Sequence, residues 1–166
     1  MNTPRRKLPD RLAEATGLPR SHCGQVFRLL SERGVLSLGG YGVVPNTRDA
    51  VRVFLGLAAA QRRDAPDLVL ALVGLEDGSS SALDALERLV DAAVRPYAAH
   101  VPVDWDRGSI RIGRTVPEVV LTTRLGDEDV VRTFRAADHD NRPAGPREFI
   151  ELPLSALRGT AKVVLA

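Results

Sequence analysis

The chain reads as an α+β protein, and three observations carry that reading. Residues 8–62 place apolar side chains at helical spacing, residues 109–152 alternate at a period of two, and a dense apolar run, Asp67 to Leu75 (DLVLALVGL), lies between them. At 166 residues the chain has room for one domain or two small ones. The reading divides it into a mainly helical, winged-helix-like head at 1–63 and an α+β domain at 64–166. The second part is expected to run in the order β-α-β-β-β-β.

In the head, Leu12 to Gly34 (LAEATGLPRSHCGQVFRLLSERG) is the organising stretch. A short helix from Asp10 to Thr16 has Pro9 at its start. Gly17 supplies the positive φ of a tight interhelical turn, and Pro19 pre-sets the first turn of a longer helix that stops at Gly34. In that second helix Cys23, Val26, Phe27 and Leu30 follow the i, i+3, i+4, i+7 rule and share a buried face. Ser21, Gln25 and Arg28 recur on a different, polar stripe. A stripe of that kind fits a major groove, where Arg pairs with guanine and Gln with adenine; a solvated helix face is the competing reading.

ATGLPRS followed by a helix ending RLLSERGVL resembles the helix-turn-helix of winged-helix bacterial regulators of the IclR and MarR type, over roughly residues 8–45. More loosely, GVLSLGGYGVVP-NTRDAVRVFLGLAAA resembles small phage or prophage DNA-binding proteins. The resemblance implies the second helix as the reading element. Those regulators carry another helix before this pair, where Met1 to Lys7 stand here, and that departure implies a compact or rearranged module completed by the helix after Asn46. Cys23 stands where such proteins carry Val or Ile, and a buried thiol serves as a small hydrophobe there. Gly24 is a departure, worth about 1 kcal/mol against Ala inside a helix.

After Gly34, Val35-Leu36-Ser37-Leu38 and Val43-Val44 flank Gly39-Gly40-Tyr41-Gly42, which predicts a hairpin with a glycine-rich turn and hence a small wing with Tyr41 at its tip. Asn46 or Thr47 caps a helix expected to run to about Arg62, with Val51, Phe54, Leu55 and Ala58 inward. Gln61 to Pro66 (QRRDAP) is the predicted linker.

Asp67 to Leu75 is expected to be a buried strand, Glu76 to Ser80 a turn, and Ser80 or Ser81 the cap of a helix to about Arg95. Pro96 ends that helix, and Ala98 to Arg107 is a loop. Strands follow at Ser109–Arg114, Glu118–Arg124, Asp129–Ala136 and Arg147–Leu152, then a turn or short helix and the apolar tail Lys162–Ala166.

Charge separates the two parts. The net charge is +2, yet residues 1–63 hold eleven Lys/Arg against four Asp/Glu, while residues 64–166 hold twelve against seventeen. A basic head on an acidic body is the electrostatic footprint of nucleic-acid binding by the head. Base-reading roles fall to Ser21, His22, Gln25 and Arg28. Phosphate contacts fall to Arg5, Arg6, Lys7, Arg20, Arg48 and Tyr41. One such head offers little contact for tight specific binding, so a homodimer or higher oligomer through the C-terminal half is expected.

Other chemistry is thinly represented. A single cysteine rules out an intramolecular disulfide and multi-cysteine zinc sites. His100 near Asp104 and Asp106, and Asp138-His139-Asp140, are the only metal-like groupings. Both sit in turns where Asp and His favour local hydrogen bonding. Cys23 reads as core, with a redox-sensing thiol as the alternative. No enzyme, cofactor or metal is therefore expected. No apolar run of about 18 residues and no secretory h-region occur, which predicts a cytoplasmic protein without membrane association.

The function these observations favour is sequence-specific binding of double-stranded DNA, as a transcriptional regulator of bacterial or phage origin. A phage-type packaging or recombination accessory is one alternative. A protein-interaction adaptor with a structural helix-turn-helix is another.

Overall fold

Helix α1 spans Leu8–Thr16 and ends at Gly17, whose φ of 73° lets its N–H reach the Ala13 carbonyl at 2.9 Å. After a short turn, α2 spans Arg20–Glu32, with Pro19 at its N-cap rather than inside its first turn. Its C-terminus is a Schellman motif: the Val35 N–H reaches the Leu30 carbonyl at 2.9 Å, and the Gly34 N–H reaches that of Ser31 at 3.1 Å. Val35 and Leu36 are thereby drawn into the core, and Val35–Ser37 is not the strand expected there. This computed structural model describes residues 7–37, 44–95, 102–138 and 146–166, so residues 38–43 of the expected wing, with Tyr41, lie outside the described residues, and Val44 is exposed and in no strand.

Helix α3, Thr47–Leu57, starts at a reciprocal cap: Asn46 Oδ1 accepts from the Asp49 N–H at 3.0 Å, and Asp49 Oδ2 accepts from the Asn46 N–H at 3.1 Å. It ends about five residues earlier than expected. A 3₁₀ turn, Arg62–Asp64, leads into α4, Ala65–Val73.

Helix α4 replaces the expected strand at 67–75 and part of the expected linker. Pro66 sits in its first turn, where a missing N–H leaves nothing unsatisfied. A continuous apolar run does not by itself distinguish a strand from a buried helix. Burial resolves it: Ala65, Val69 and Leu72 are inward at helical spacing, whereas Leu70 is 62% exposed. Helix α5, Ala82–Val94, is capped by Ser81 Oγ accepting from the Asp84 N–H at 3.1 Å.

Four antiparallel strands follow: β1 (Ser109–Gly113), β2 (Glu118–Leu125), β3 (Glu128–Arg135) and β4 (Phe149–Pro153), in sheet order β3-β2-β1-β4. All four fall where the period of two puts them. The register pairs Ile110 with Leu121 and Leu152, and Val119 with Ile112 and Phe134, so these residues share the buried face. Helix α6, Leu154–Val164, stands where a turn or short helix was expected and extends into the expected apolar tail as far as Val164. The class is α+β, with helices mostly N-terminal and strands C-terminal.

Residues from both sides of position 63/64 enter one hydrophobic cluster, from Leu12 and Phe54 to Ile110, Phe134 and Leu157. Each such side chain, fully buried, stabilises the fold by about 1.5–3 kcal/mol. Helix α6 packs on α1, α3 and α5. Its approach to α1 is close enough that a Cβ added at Gly159 would lie 2.8 Å from Ala15 Cβ. Arg114, just after β1, donates from Nε to the Ala58 carbonyl at 2.7 Å, a second tie between sheet and helices.

Candidate nucleic-acid interface

The two stripes of α2 are separated as its periodicity requires. Cys23, Val26 and Leu30 are fully buried and Phe27 half-buried, while Arg20, Ser21, Gln25 and Arg28 are exposed. Against the exposed stripe lies the start of α1, and the crossing explains Gly24. A Cβ there would stand 3.3 Å from Pro9 Cγ, so the glycine permits the approach of the two helices. The result is a shallow cleft of about 490 Å3 lined by Pro9, Arg20, Ser21, Gly24, Gln25 and Arg28.

The cations of this surface have acidic neighbours. Arg20 Nε lies 2.7 Å from Asp10 Oδ1, and Arg28 Nε 3.4 Å from Glu32 Oε1 one turn on. Such exposed pairs are worth about 0–1 kcal/mol, so they yield readily to a stronger anion such as a phosphate. Arg62 donates from Nη1 to Gln25 Oε1. The sequence places Arg62 and Arg63 in a linker; the 3₁₀ turn instead holds this arginine pair beside α2, and two adjacent arginines before Asp64 were the only local signal.

The remaining predicted residues are dispersed. His22 is half-buried and turns toward α3, its Nε2–H donating to the Leu57 carbonyl at 3.0 Å, so it ties α2 to α3 rather than lining the cleft. Arg48 lies at the start of α3, its Nε 3.2 Å from Glu87 Oε2, while Thr47 Oγ1 donates to Glu87 Oε1 at 3.1 Å. Lys7 is exposed at the N-cap of α1. Arg5, Arg6 and Tyr41 lie outside the described residues.

Two buried carboxylates among the described residues, Asp49 and Glu118, escaped the sequence reading, and the first of them lies in the head. Asp49 is fully buried, accepts from the Ser37 N–H at 2.9 Å and from Ser37 Oγ, and caps α3 through Asn46. It thus gathers the chain on both sides of residues 38–43. Its signal was Asn46-x-x-Asp49, a capping-box spacing with shorter side chains.

Cys23 is buried, and burial pushes its thiol pKa up, with a hydrogen bond to Thr16 partly opposing the shift. Among the described residues no group of three or more His, Cys, Asp or Glu is placed to hold a metal ion. Asp104 accepts from the N–H groups of Asp106 at 3.2 Å and Arg107 at 3.3 Å, a local turn. His100, His139 and Asp140 lie outside the described residues. No described helix is long and apolar enough to cross a membrane.

No protein-family model matches the chain, and no curated protein or solved structure is significantly similar to it.

Proposed function

We propose that the chain binds double-stranded DNA sequence-specifically through α2, as a transcriptional regulator of bacterial or phage origin. The observation that carries this reading is the cleft itself. Ser21, Gln25 and Arg28 stand together on one exposed helix face, while the opposite face is anchored in the core. In this reading Gln25 and Arg28 contact base edges, with Ser21 beside them. Arg20, Arg62 and Lys7 exchange their intramolecular partners or solvent for phosphates. Good bidentate base contacts carry about 1–3 kcal/mol of discrimination each, and phosphate contacts make the affinity salt-dependent. The basic surplus of residues 1–63 supports the same face. No cofactor enters this reading.

A second reading is a protein-interaction adaptor whose helix-turn-helix is scaffold. It is favoured by the partners that Gln25, Arg20 and Arg28 already have within the chain. Selection from a pool of random duplex DNA, with a salt titration, separates the two. The DNA reading expects an enriched motif and an affinity that falls steeply with salt. The double variant Gln25→Ala/Arg28→Ala is expected to lose the motif while keeping weak binding. Absence of binding at low salt refutes it and leaves the adaptor.

A further inference from the structure

Among the described residues, strand β3 is an edge strand whose edge is covered at one end and open at the other. At its C-terminal end Arg135 exchanges both main-chain hydrogen bonds with Glu76, at 3.0 and 3.4 Å, so the Arg135 main chain faces away from β2. The β2–β3 register is unbroken from Glu118–Arg135 to Leu125–Glu128. Alternation along an antiparallel ladder therefore turns the main-chain groups of Val131 and Asp129 to the same open side. The loop after Glu76 reaches as far as Arg132, whose Nε lies 2.7 Å from Asp77 Oδ2 and whose Nη2 bonds Ser80 Oγ at 2.8 Å. From Val131 back to Glu128 no described residue besides those of β2 pairs with the strand, and there Val131 is 58% exposed and Val130 39%.

An open, apolar strand edge is a template for another strand, and natural proteins usually cover or interrupt it. The charge order of this one selects the occupant. Glu128 and Asp129 stand at the open end and Arg132 toward the covered end. An antiparallel second copy of the same strand sets acid against base at both ends, whereas a parallel copy sets like charges side by side. Among the described residues Asp129 has an exposed contact of 3.5 Å to its own Arg124. Beside Val130 the edge also opens into a cleft of about 250 Å3, lined by Leu89, Val103, Leu125 and other residues, which a neighbouring strand would roof.

We propose that two copies of this chain associate through β3, antiparallel and centred on Val130, joining their four-stranded sheets into one. In that register Val130 faces the partner's Val130 as a non-hydrogen-bonded pair. Glu128 faces the partner's Arg132, and the outward main-chain groups of Asp129 bond those of the partner's Val131. The pairing stands whether or not α2 binds DNA, and its test uses no DNA.

The full chain is run by sedimentation equilibrium at micromolar concentration, beside Val130→Cys, Val131→Pro and Val130→Lys. Directly opposed, non-hydrogen-bonded positions lie about 4.5 Å apart at Cα, within disulfide reach. Val130→Cys is therefore expected to form a covalent dimer on mild oxidation, and Cys23, being buried, does not compete. Proline at 131 removes an N–H that β2 does not use, and Val130→Lys opposes two ammonium groups. Both are expected to halve the wild-type mass, from twice to once the 17.9 kDa of a single chain, with an unchanged circular dichroism spectrum. A monomeric wild type overturns the pairing. So does a dimer in which Val130→Cys fails to cross-link, or one that folded Val131→Pro leaves intact. Because the cross-link is read independently, a misfolded proline variant does not shield the proposal.

Discussion

Gly159→Ala probes the packing of α6 on α1. Inside α6, replacing glycine by alanine removes backbone freedom from the unfolded chain and by itself stabilises by about 1 kcal/mol. Against that, the new Cβ would meet Ala15 Cβ at 2.8 Å and the Ala15 Cα and carbonyl oxygen at 3.4 Å. A methyl group on a helix has no rotamer to escape into, so the helices must separate. Overpacking of this kind costs about 1–3 kcal/mol. The expected net effect in the wild-type chain is thus a loss of up to about 2 kcal/mol. In an Ala15→Gly background the clash is absent, and the same substitution is expected to stabilise by the helical increment alone. The double-mutant cycle should then give a coupling of about 1–3 kcal/mol between positions 15 and 159. Urea denaturation followed by far-ultraviolet circular dichroism and by the fluorescence of Trp105, the single tryptophan, measures all four corners. Because residues of both segments enter one cluster, both probes are expected to report the same transition. If Gly159→Ala raises stability equally in both backgrounds, α1 and α6 do not pack as described.

Two further outcomes follow from titratable groups. The Asp77 carboxyl is held well below the usual carboxylate range, first by the Ser79 backbone N–H at 2.9 Å, then by Ser79 Oγ, the Ser80 N–H and Arg132, against some desolvation. Its folded pKa lies below its unfolded one, so its contribution is present above about pH 4 and is lost as pH falls further. Wild type is therefore expected to lose urea resistance below about pH 4 more steeply than Asp77→Asn, which should already be weaker at neutral pH; parallel curves would refute this. Cys23, buried and with its pKa raised, is expected to resist an aromatic disulfide reagent in the folded protein and to react fully in denaturant. Rapid modification of the native protein would return it to the role of a redox sensor.

Elements whose boundaries are written in a few adjacent residues were legible from the chain alone. Pro9, Gly17 and Gly34 delimit α1 and α2 because a proline or a positive-φ glycine acts on its own backbone. Asn46, one of the two caps expected, starts α3, and the short β segments between residues 109 and 152 mark all four strands. The polar stripe of α2 was legible for the same reason: Ser21, Gln25 and Arg28 share a face by periodicity alone. Features that depend on a distant partner became legible only in the folded chain. The run at 67–75 is apolar on every side, so only the inward turn of Val69 and Leu72 and the exposure of Leu70 establish it as helical. The side to which His22 turns depends on the Leu57 carbonyl 35 residues away, and the place of Arg62 beside Gln25 on a 3₁₀ turn. Gly24 lowers helix propensity when read alone and becomes intelligible only against Pro9, as Gly159 does against Ala15. Propensity and caps are properties of a few adjacent residues, whereas close approach and side-chain direction are set by whatever the chain later brings alongside.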